Sequence, residues 1–312
     1  MNRIKPKALR PGARIGLIAP SGAALAPERV DVARAAVTEL GFEVVEGGSC
    51  REVYGYLAGS DTLRAADFNA FFADPSIDGI FCLKGGYGTP RILDRVDWRL
   101  VRANPKVFLG YSDITAAHLA LERECGLVTF HGPMPHAEKM PAWDEASRAA
   151  LLAAIGPAGG RGRILNPPDR PLRGLSGGKA RGHLVGGNLS LIAATMGTPW
   201  EIDTRGRILF IEDISERPYR IDRMLTQLRL AGKLDSAAGF LLGDWNDCGP
   251  EPGKRSLSLD EIFRDLLLPT GKPILANLAA GHSSTNLTLP LGIEVEIDAD
   301  ALTLEVMETA TS

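Results

Sequence analysis

The chain has 312 residues, of which 45% are hydrophobic and 23% are charged, and its formal net charge is −3. This length allows one large domain or two of ordinary size, and the composition is typical of a soluble globular protein. The charge balance gives no reason to expect nucleic acid or a membrane surface as a partner. The first residues lack an apolar signal segment and no apolar run reaches transmembrane length, so we expect a cytoplasmic protein.

The first half of the sequence alternates between strand and helix patterns. Apolar strands are predicted near residues 14–22, 42–45, 79–84, 107–109 and 127–130, and helices near residues 27–40, 60–73, 89–96 and 113–124. This alternation predicts a doubly wound, mostly parallel sheet over roughly the first 135 residues. Ligands of such sheets bind at the carboxyl ends of the strands, and Gly85, Gly86 and Ser112 follow two of these strands.

Residues 156–180 are rich in proline and glycine, which is typical of a linker. We therefore predict an N-terminal α/β domain over residues 1–155 and a C-terminal domain over residues 181–312. Further patterns follow the linker: strands near 181–185, 207–213 and 238–244, helices ending near 197, 230 and 267, and two alternating strands near 293–297 and 302–306. These patterns predict a β-rich domain of the α+β class.

Ser112 lies where an apolar strand turns sharply into a helical pattern. Such a turn lifts a hydroxyl clear of the sheet and places it at a helix N-terminus, where negative charge is favoured. The Gly-x-Ser-x-Gly pattern of a nucleophile elbow is incomplete, because Ile114 stands at the position of the second glycine. Ser112 or Asp113 could instead act only as a helix cap.

The five histidines show no metal-ligand spacing, so we expect neither a metal ion nor another cofactor. His118 is predicted to pack in the core, and His183 lies within a predicted strand. His131 and His136 flank a loop that could line a cleft. His282 lies in a Gly-His-Ser-Ser-Thr-Asn loop between strands, where functional residues are often found.

A serine nucleophile needs a base that takes its proton and an anionic group that orients the base. Ser112, His282 and one carboxylate could supply these three functions. The candidate acids are Glu212, Asp213 and Glu216. Glu212 is favoured because it ends an apolar strand, where its carboxylate should be partly buried and rigidly held.

Glycine-rich turns supply candidate donors for an oxyanion hole. The amide of Asp113 and an amide of Gly85 or Gly86 could stabilise a developing alkoxide, since glycine lets the backbone approach a substrate closely. Gly-Gly-x-Gly could equally form a tight turn or a phosphate cradle, although no nucleotide-binding motif accompanies it. The segment Gly186-Gly187-Asn188 has the same ambiguity, and we assign Gly187 and Asn188 to a substrate pocket.

Six segments along the chain occur in a characteristic order. They are Ala19-Pro-Ser, Leu83-Lys-Gly-Gly-Tyr-Gly, Gly110-Tyr-Ser-Asp-Ile-Thr, Gly186-Gly-Asn-Leu, Phe210-Ile-Glu-Asp with Tyr219-Arg-Ile-Asp-Arg-Met-Leu, and Gly281-His with Asn286-Leu-Thr-Leu-Pro. Together they resemble the LD-carboxypeptidases of serine peptidase family S66, also called muramoyltetrapeptide carboxypeptidases. The resemblance covers nearly the whole chain.

This resemblance implies a catalytic triad of Ser112, Glu212 and His282, with oxyanion amides near Gly86 and Asp113. It also implies an active site in a cleft between an N-terminal α/β domain and a C-terminal β-rich domain, and a homodimer. The expected enzyme is a hydrolase that forms an acyl-enzyme and releases the terminal D-alanine from muropeptide tetrapeptides in peptidoglycan recycling.

The family has a second branch, which resembles the microcin C7 immunity protein and cleaves aminoacyl-nucleotide conjugates. That branch carries a longer insertion between the Gly-Gly-Asn-Leu segment and the catalytic acid. Here only 24 positions separate Asn188 from Glu212, which favours the muropeptide branch. A non-catalytic peptide- or sugar-binding module is the alternative from another class.

The expected partner is therefore a small peptide. The residues predicted to bind it are Gly85, Tyr87, Gly187 and Asn188. The sequence does not choose among the cations that could bind its terminal carboxylate, such as Lys84, Arg91 and Arg217.

Overall fold

The structure is a computed structural model that describes residues 3–135 and 143–312. His136 therefore lies outside the described residues. The chain divides into two compact units. Unit 1 comprises Met1–Gly160, Ser284–Gly292 and Thr309–Ser312, and unit 2 comprises Arg161–Ser283 and Ile293–Glu308. Among the helices of the described residues, none is both long and apolar enough to cross a membrane.

The secondary structure follows the predicted alternation. The strands are β1 (Arg14–Ile18), β2 (Glu43–Glu46), β3 (Gly79–Cys82), β4 (Val107–Gly110), β5 (Thr129–His131), β6 (Gly162–Ile164), β7 (Arg173–Ser176), β8 (Lys179–Asn188), β9 (Ile208–Ile214), β10 (Gly239–Asn246), β11 (Ile274–Ala276), β12 (Leu289–Leu291), β13 (Glu294–Asp298) and β14 (Thr303–Val306). The helices are α1 (Glu28–Glu39), α2 (Asp61–Ala73), α3 (Trp98–Ala103), α4 (Thr115–Cys125), α5 (Glu145–Ile155), α6 (Leu189–Ala194), α7 (Pro218–Leu230), α8 (Lys233–Ser236) and α9 (Leu259–Leu266). Short 3-10 turns occupy Gly48–Arg51, Thr89–Arg95, Ser112–Ile114 and Leu268–Thr270.

Unit 1 contains a six-stranded sheet in the order β12-β5-β4-β3-β1-β2. All neighbouring strands are parallel except β12, which runs antiparallel to β5. The mostly parallel sheet predicted for the first half is thus confirmed. Every residue of β3, β4 and β5 is buried, as expected of parallel strands that are covered on both faces.

The core of unit 1 is built from aromatic side chains of α2 and β4. Phe68 and Phe72 are fully buried, and the ring centroids of Phe68 and Phe108 are 5.5 Å apart. Cys82 and Cys125 are buried free thiols, which agrees with their apolar sequence context. This packing holds the carboxyl ends of β3 and β4, from which Gly85 and Ser112 follow.

Two segments near the end of the chain belong to a different unit from the predicted one. Residues 284–292 and 309–312 were assigned to the second domain, whereas the structure places them in unit 1. Strand β12 is an edge strand, and Pro290 pairs with Phe130 there. Proline has no N–H to donate and is tolerated at a sheet edge, so a short strand containing Pro gives little sequence signal.

Unit 2 contains an eight-stranded sheet in the order β6-β14-β13-β8-β9-β10-β11-β7. Strands β8 to β11 are parallel, and antiparallel strands flank them, so the β-rich second domain is confirmed. The segment 156–180, which we predicted to be a linker, supplies both edge strands, β6 and β7. Short edge strands tolerate glycine and proline, and this explains why the segment resembles a linker in sequence.

Candidate active site

Ser112 lies at the strained turn between β4 and α4. Its φ of 63° is left-handed, a conformation that is uncommon and costly for any residue except glycine. A Cβ at position 110 would lie 2.8 Å from the side chain of Ile114. Ile114 stands where the elbow pattern has its second glycine, and the absence of a side chain on Gly110 makes room for it. Neither the 3-10 turn nor α4 has a side-chain cap at its N-terminus, so capping does not explain Ser112 or Asp113.

The Gly85–Gly86 turn lies directly against the serine side chain. A Cβ on Gly85 would lie 2.9 Å from Cβ and 3.0 Å from Oγ of Ser112. Gly86 has a φ of 113°, which favours glycine. The amide of Gly22 donates to the carbonyl oxygen of Gly85 at 3.2 Å. Tyr87 follows and is about half exposed. The sequence placed both segments at carboxyl ends of strands, and in the structure these strands, β3 and β4, are neighbours.

The side chain of Asp113 is buried and forms a hydrogen bond with the end of the glycine-rich loop, at Thr89. Its Oδ2 accepts a hydrogen bond from the amide of Thr89 at 2.8 Å, and the residue is fully buried. Burial raises the pKa of the Asp113 carboxyl, while hydrogen bonds from Ser21 and from the Thr89 backbone act in the opposite direction. Asp113 therefore links the nucleophile turn to the glycine loop.

In unit 2, Glu212 and His282 form a buried hydrogen-bonded pair. Nδ1 of His282 donates to Oε2 of Glu212 at 2.7 Å. The side chain of Glu212 is fully buried and that of His282 is 11% exposed. Because Nδ1 carries the proton shared with Glu212, Nε2 is left as the basic nitrogen.

Burial and charge shift the pKa of both members of this pair. Burial raises the pKa of Glu212, against hydrogen bonds from His282 and Asn188. Burial alone would lower the pKa of His282, but its bond to Glu212 and the negative charges of Glu212, Asp213 and Asp244 outweigh burial, so its pKa is raised.

The two other candidate acids have different partners. Asp213 accepts hydrogen bonds from the side-chain amide of Asn188 at 2.9 Å and from the amide and hydroxyl of Ser190 at 2.9 and 2.8 Å. Glu216 forms an ion pair with Arg220 at 3.4 Å. Of the three carboxylates, Glu212 is the one bonded to His282.

The second glycine-rich segment ends strand β8 and adjoins Glu212 through the sheet. Gly187 and Asn188 lie opposite Ile211 and Glu212 in the parallel ladder of β8 and β9. A Cβ on the neighbouring Gly186 would meet backbone atoms of β9, so the two strands need a glycine there. Asn188 also caps α6 by accepting from the amide of residue 191. Substrate binding by Gly187 and Asn188 stays a prediction.

The three candidate cations each have a partner within their own unit. Lys84 Nζ donates to a backbone carbonyl at 3.1 Å, and Arg91 forms an ion pair with Asp61 at 2.8 Å. Arg217 lies 3.3 Å from Glu251 and lines a cavity of about 300 Å³ in unit 2. The contacts of these side chains do not select one of them as a carboxylate ligand.

Sequence reasoning missed a second set of charged residues next to His282. Asp244 ends the apolar run of β10, as Glu212 ends an apolar run in β9, and its side chain is 1% exposed. It forms an ion pair with Arg170, which comes from the segment predicted as a linker. A carboxylate at the end of an apolar run was the sequence signal that could have identified Asp244.

Two family models cover most of the chain and define its class as a serine-type hydrolase. Residues 15–132 match the family model of the LD-carboxypeptidase N-terminal domain, and residues 181–297 match that of the LD-carboxypeptidase C-terminal domain. A probable murein peptide carboxypeptidase of Bacillus subtilis is 42% identical, over 94% of this chain and 91% of its own. The murein tetrapeptide carboxypeptidase of Pseudomonas aeruginosa is 32% identical, over 93% of this chain and 94% of its own.

The microcin C7 self-immunity protein MccF of Escherichia coli is 27% identical, over 86% of this chain and 85% of its own. A solved structure of MccF with glutamyl sulfamoyl guanosine has a TM-score of 0.91 at 24% identity and covers 99% of each chain, which shows that the fold is shared. The chain belongs to the LD-carboxypeptidase family, peptidase family S66. It is a serine-type carboxypeptidase.

Proposed function

We propose that this carboxypeptidase removes the terminal D-alanine from murein tetrapeptides, with Ser112, Glu212 and His282 as its catalytic residues. The observation that carries the proposal is the 2.7 Å bond between His282 Nδ1 and the buried carboxylate of Glu212. It provides an oriented imidazole with a basic Nε2, which is what a serine nucleophile requires. The left-handed φ of Ser112 supports its role as the nucleophile.

In the proposed reaction, Ser112 Oγ attacks the carbonyl carbon of the penultimate residue and His282 Nε2 takes the hydroxyl proton. The imidazolium, stabilised by Glu212, then gives that proton to the departing amine of D-alanine. The C–N bond breaks and an acyl-enzyme ester remains. Water attacks this ester with His282 again as the base, and the proton returns to Ser112 Oγ.

The amides of Gly86 and Asp113 are the proposed oxyanion donors. Asp113 directly follows the nucleophile, and the Gly85–Gly86 turn lies within contact distance of the Ser112 side chain. Removal of one such donor commonly costs about 100-fold or more in kcat. We also propose Gly85, Tyr87, Gly187 and Asn188 as substrate contacts.

The murein substrate is supported by the relatives. The probable murein peptide carboxypeptidase is 42% identical to this chain, whereas the microcin immunity protein is 27% identical. The short spacing between Asn188 and Glu212 favours the same branch of the family. Cleavage of aminoacyl-nucleotide conjugates is the alternative activity, supported by the fold shared with MccF.

The deciding experiment follows murein tetrapeptide by mass spectrometry after incubation with purified protein. We expect wild type to release D-alanine and Ser112→Ala to release none. The matched control is Ser76→Ala, which alters an exposed serine and should retain wild-type turnover. Release of an aminoacyl group from a sulfamoyl-adenylate conjugate, without release of D-alanine, would assign the alternative activity. Equal turnover by Ser112→Ala would exclude Ser112 as the nucleophile.

We further propose that the enzyme acts as a cytoplasmic homodimer in peptidoglycan recycling. Light scattering on the purified protein should then give twice the chain mass of 33.3 kDa. A mass equal to that of one chain would contradict the dimer and leave the catalytic proposal unchanged.

A further inference from the structure

We propose that Asn166, Arg170 and Asp244 form a frame that positions His282 for catalysis. The inference rests on the proposed role of His282 as the general base. It concerns residues that the sequence placed in a linker and at the end of a strand. All of them belong to unit 2.

His282 lies on the loop that follows β11, residues 277–283, which has little regular structure of its own. The loop begins at Asn277, whose φ of 67° is left-handed. A loop of this kind needs external hydrogen bonds to hold one conformation, because its backbone groups lack helix or sheet partners. Side chains of Asn166, Arg170, Asp244 and Asn246 supply them.

The first side of the frame is the segment before β7. Asn166 accepts from the amide of Ala279 at 2.8 Å and donates from Nδ2 to the carbonyl oxygen of Asn277 at 2.7 Å. Arg170 donates from Nε to Oδ1 of Asn277 at 3.3 Å and from Nη2 to the carbonyl oxygen of Leu278 at 3.2 Å. These four bonds fix the entry to the His282 loop.

The second side of the frame is the end of β10. The amide of Asp244 donates to the carbonyl oxygen of Ala280 at 3.0 Å, and its Oδ2 accepts from the amide of Ser283 at 3.1 Å. Asp244 therefore holds the backbone on both sides of His282. Two residues further along β10, Asn246 Nδ2 donates to the carbonyl oxygen of His282 at 3.2 Å.

The Arg170–Asp244 ion pair joins the two sides. The guanidinium can serve the carboxylate and the loop carbonyl together because it presents several N–H donors in a fixed plane. The charged groups that act on the imidazole are Glu212 and Asp213 on β9 and Asp244 on β10, and Arg170, before β7, is paired with Asp244. Arg170 offsets one of the three negative charges, so its loss should affect His282 oppositely to the loss of Asp244.

The test is an NMR titration of the His282 imidazole in the full-length protein, with the signal assigned by its absence in His282→Gln. We expect Asp244→Asn to lower the His282 pKa and Arg170→Met to raise it, each by up to about 1 unit. Both variants should lose about tenfold or more in kcat on murein tetrapeptide, with a smaller change in KM. The matched control is Arg181→Met, which breaks an exposed ion pair with Glu294 in the same unit and should change neither quantity.

A variant that keeps the positive charge at position 170 distinguishes a positioning role from an electrostatic one. It also provides a test if Arg170→Met does not fold. Arg170→Lys should leave the His282 pKa near that of wild type and still reduce kcat, because lysine cannot reproduce the planar set of donors. Wild-type kcat in Arg170→Lys, or unchanged His282 pKa values in the other two variants, would overturn the frame. The titration needs no substrate, so absent carboxypeptidase activity in wild type would instead overturn the proposed function.

Discussion

Ser112 combines a proposed chemical role with a measurable conformational cost. The left-handed φ of 63° is unfavourable for serine and for alanine but open to glycine. We predict that Ser112→Gly is more stable than Ser112→Ala by about 1 kcal/mol in urea unfolding, while both variants are inactive. Ser76, outside the residues with positive φ, is the matched position, and there glycine should be the less stable replacement. A less stable Ser112→Gly would argue against stored strain at this turn.

His118 shows how burial changes a histidine that is not used in the proposed chemistry. It is 2% exposed, its Nε2 donates to the carbonyl oxygen of Gly110 at 2.9 Å, and its Nδ1 accepts from the hydroxyl of Thr129 at 2.9 Å. Burial lowers the His118 pKa to about 4, against the bond to Gly110 that raises it. The core position predicted from its helical face is confirmed, and the neutral imidazole is part of the fold.

The lowered pKa makes the stability of unit 1 depend on pH. Between about pH 6.5 and pH 4, His118 is protonated in the unfolded chain but neutral in the folded chain. The free energy of unfolding therefore falls as the pH drops through this range. The loss should amount to about 3 kcal/mol between pH 7 and pH 4. The difference in unfolding free energy between wild type and His118→Asn, measured in urea at several pH values, should shrink by that amount. Parallel curves for the two proteins would contradict it.

At the scale of elements, the contact between the glycine loop and the nucleophile turn can be tested by adding one carbon. Gly85 has an ordinary φ, so alanine is allowed by the backbone, but its Cβ would lie 2.9 Å from Cβ of Ser112. We predict that Gly85→Ala lowers kcat/KM by about 100-fold, because a displacement of the nucleophile by a fraction of an ångström disturbs its alignment.

Gly249→Ala is the control for this substitution, because a Cβ there meets nothing within 4 Å. It should retain wild-type activity. Thermal unfolding of both variants separates a local effect on the turn from a loss of the folded protein. Undiminished activity of Gly85→Ala would show that the loop can move away from Ser112 at no cost to catalysis.

The elements that the sequence predicted well are those whose burial is uniform. Strands β3 and β4 are apolar runs buried on both faces, and β9 begins with such a run, so composition alone identifies them. Strands β6, β7 and β12 have only three or four residues and lie at sheet edges, where apolar patterning is weak. Helix α3 has six residues, too few to show a helical period, although Asp97 caps it.

The predicted site residues differ from the missed ones in how local their sequence signal is. Ser112, Glu212 and His282 stand out because each lies at a strand end or loop within a recognisable local pattern. The contacts of Arg170 with Asp244 and with the His282 loop join segments that are distant along the chain. No local pattern encodes such contacts, since they arise only when β10 and β11 are assembled side by side in one sheet.

At the scale of the whole molecule, unit 1 depends on the last residues of the chain. The amide of Ala310 donates to the carbonyl oxygen of Gly159 at 2.9 Å, and Ala310 is fully buried. The hydroxyl of Thr311 donates to the carbonyl oxygen of Gly156 at 2.9 Å. Ser312 exchanges backbone hydrogen bonds with the N-terminal segment that contains residues 6 and 8. The first unit of the chain is therefore complete only when the last residues are present.

We predict that deletion of residues 309–312 destabilises unit 1 by about 3 kcal/mol, since it removes buried backbone hydrogen bonds and an apolar contact. Thr311→Val, which removes only one hydroxyl bond, should cost about 1 kcal/mol. The four tryptophans divide equally between the units, so replacement of Trp200 and Trp245 by phenylalanine leaves fluorescence that reports on unit 1 alone. Replacement of Trp98 and Trp143 leaves a reporter for unit 2. The deletion should lower the urea midpoint in the first background and change it little in the second, whereas equal shifts would mean that the two units unfold together.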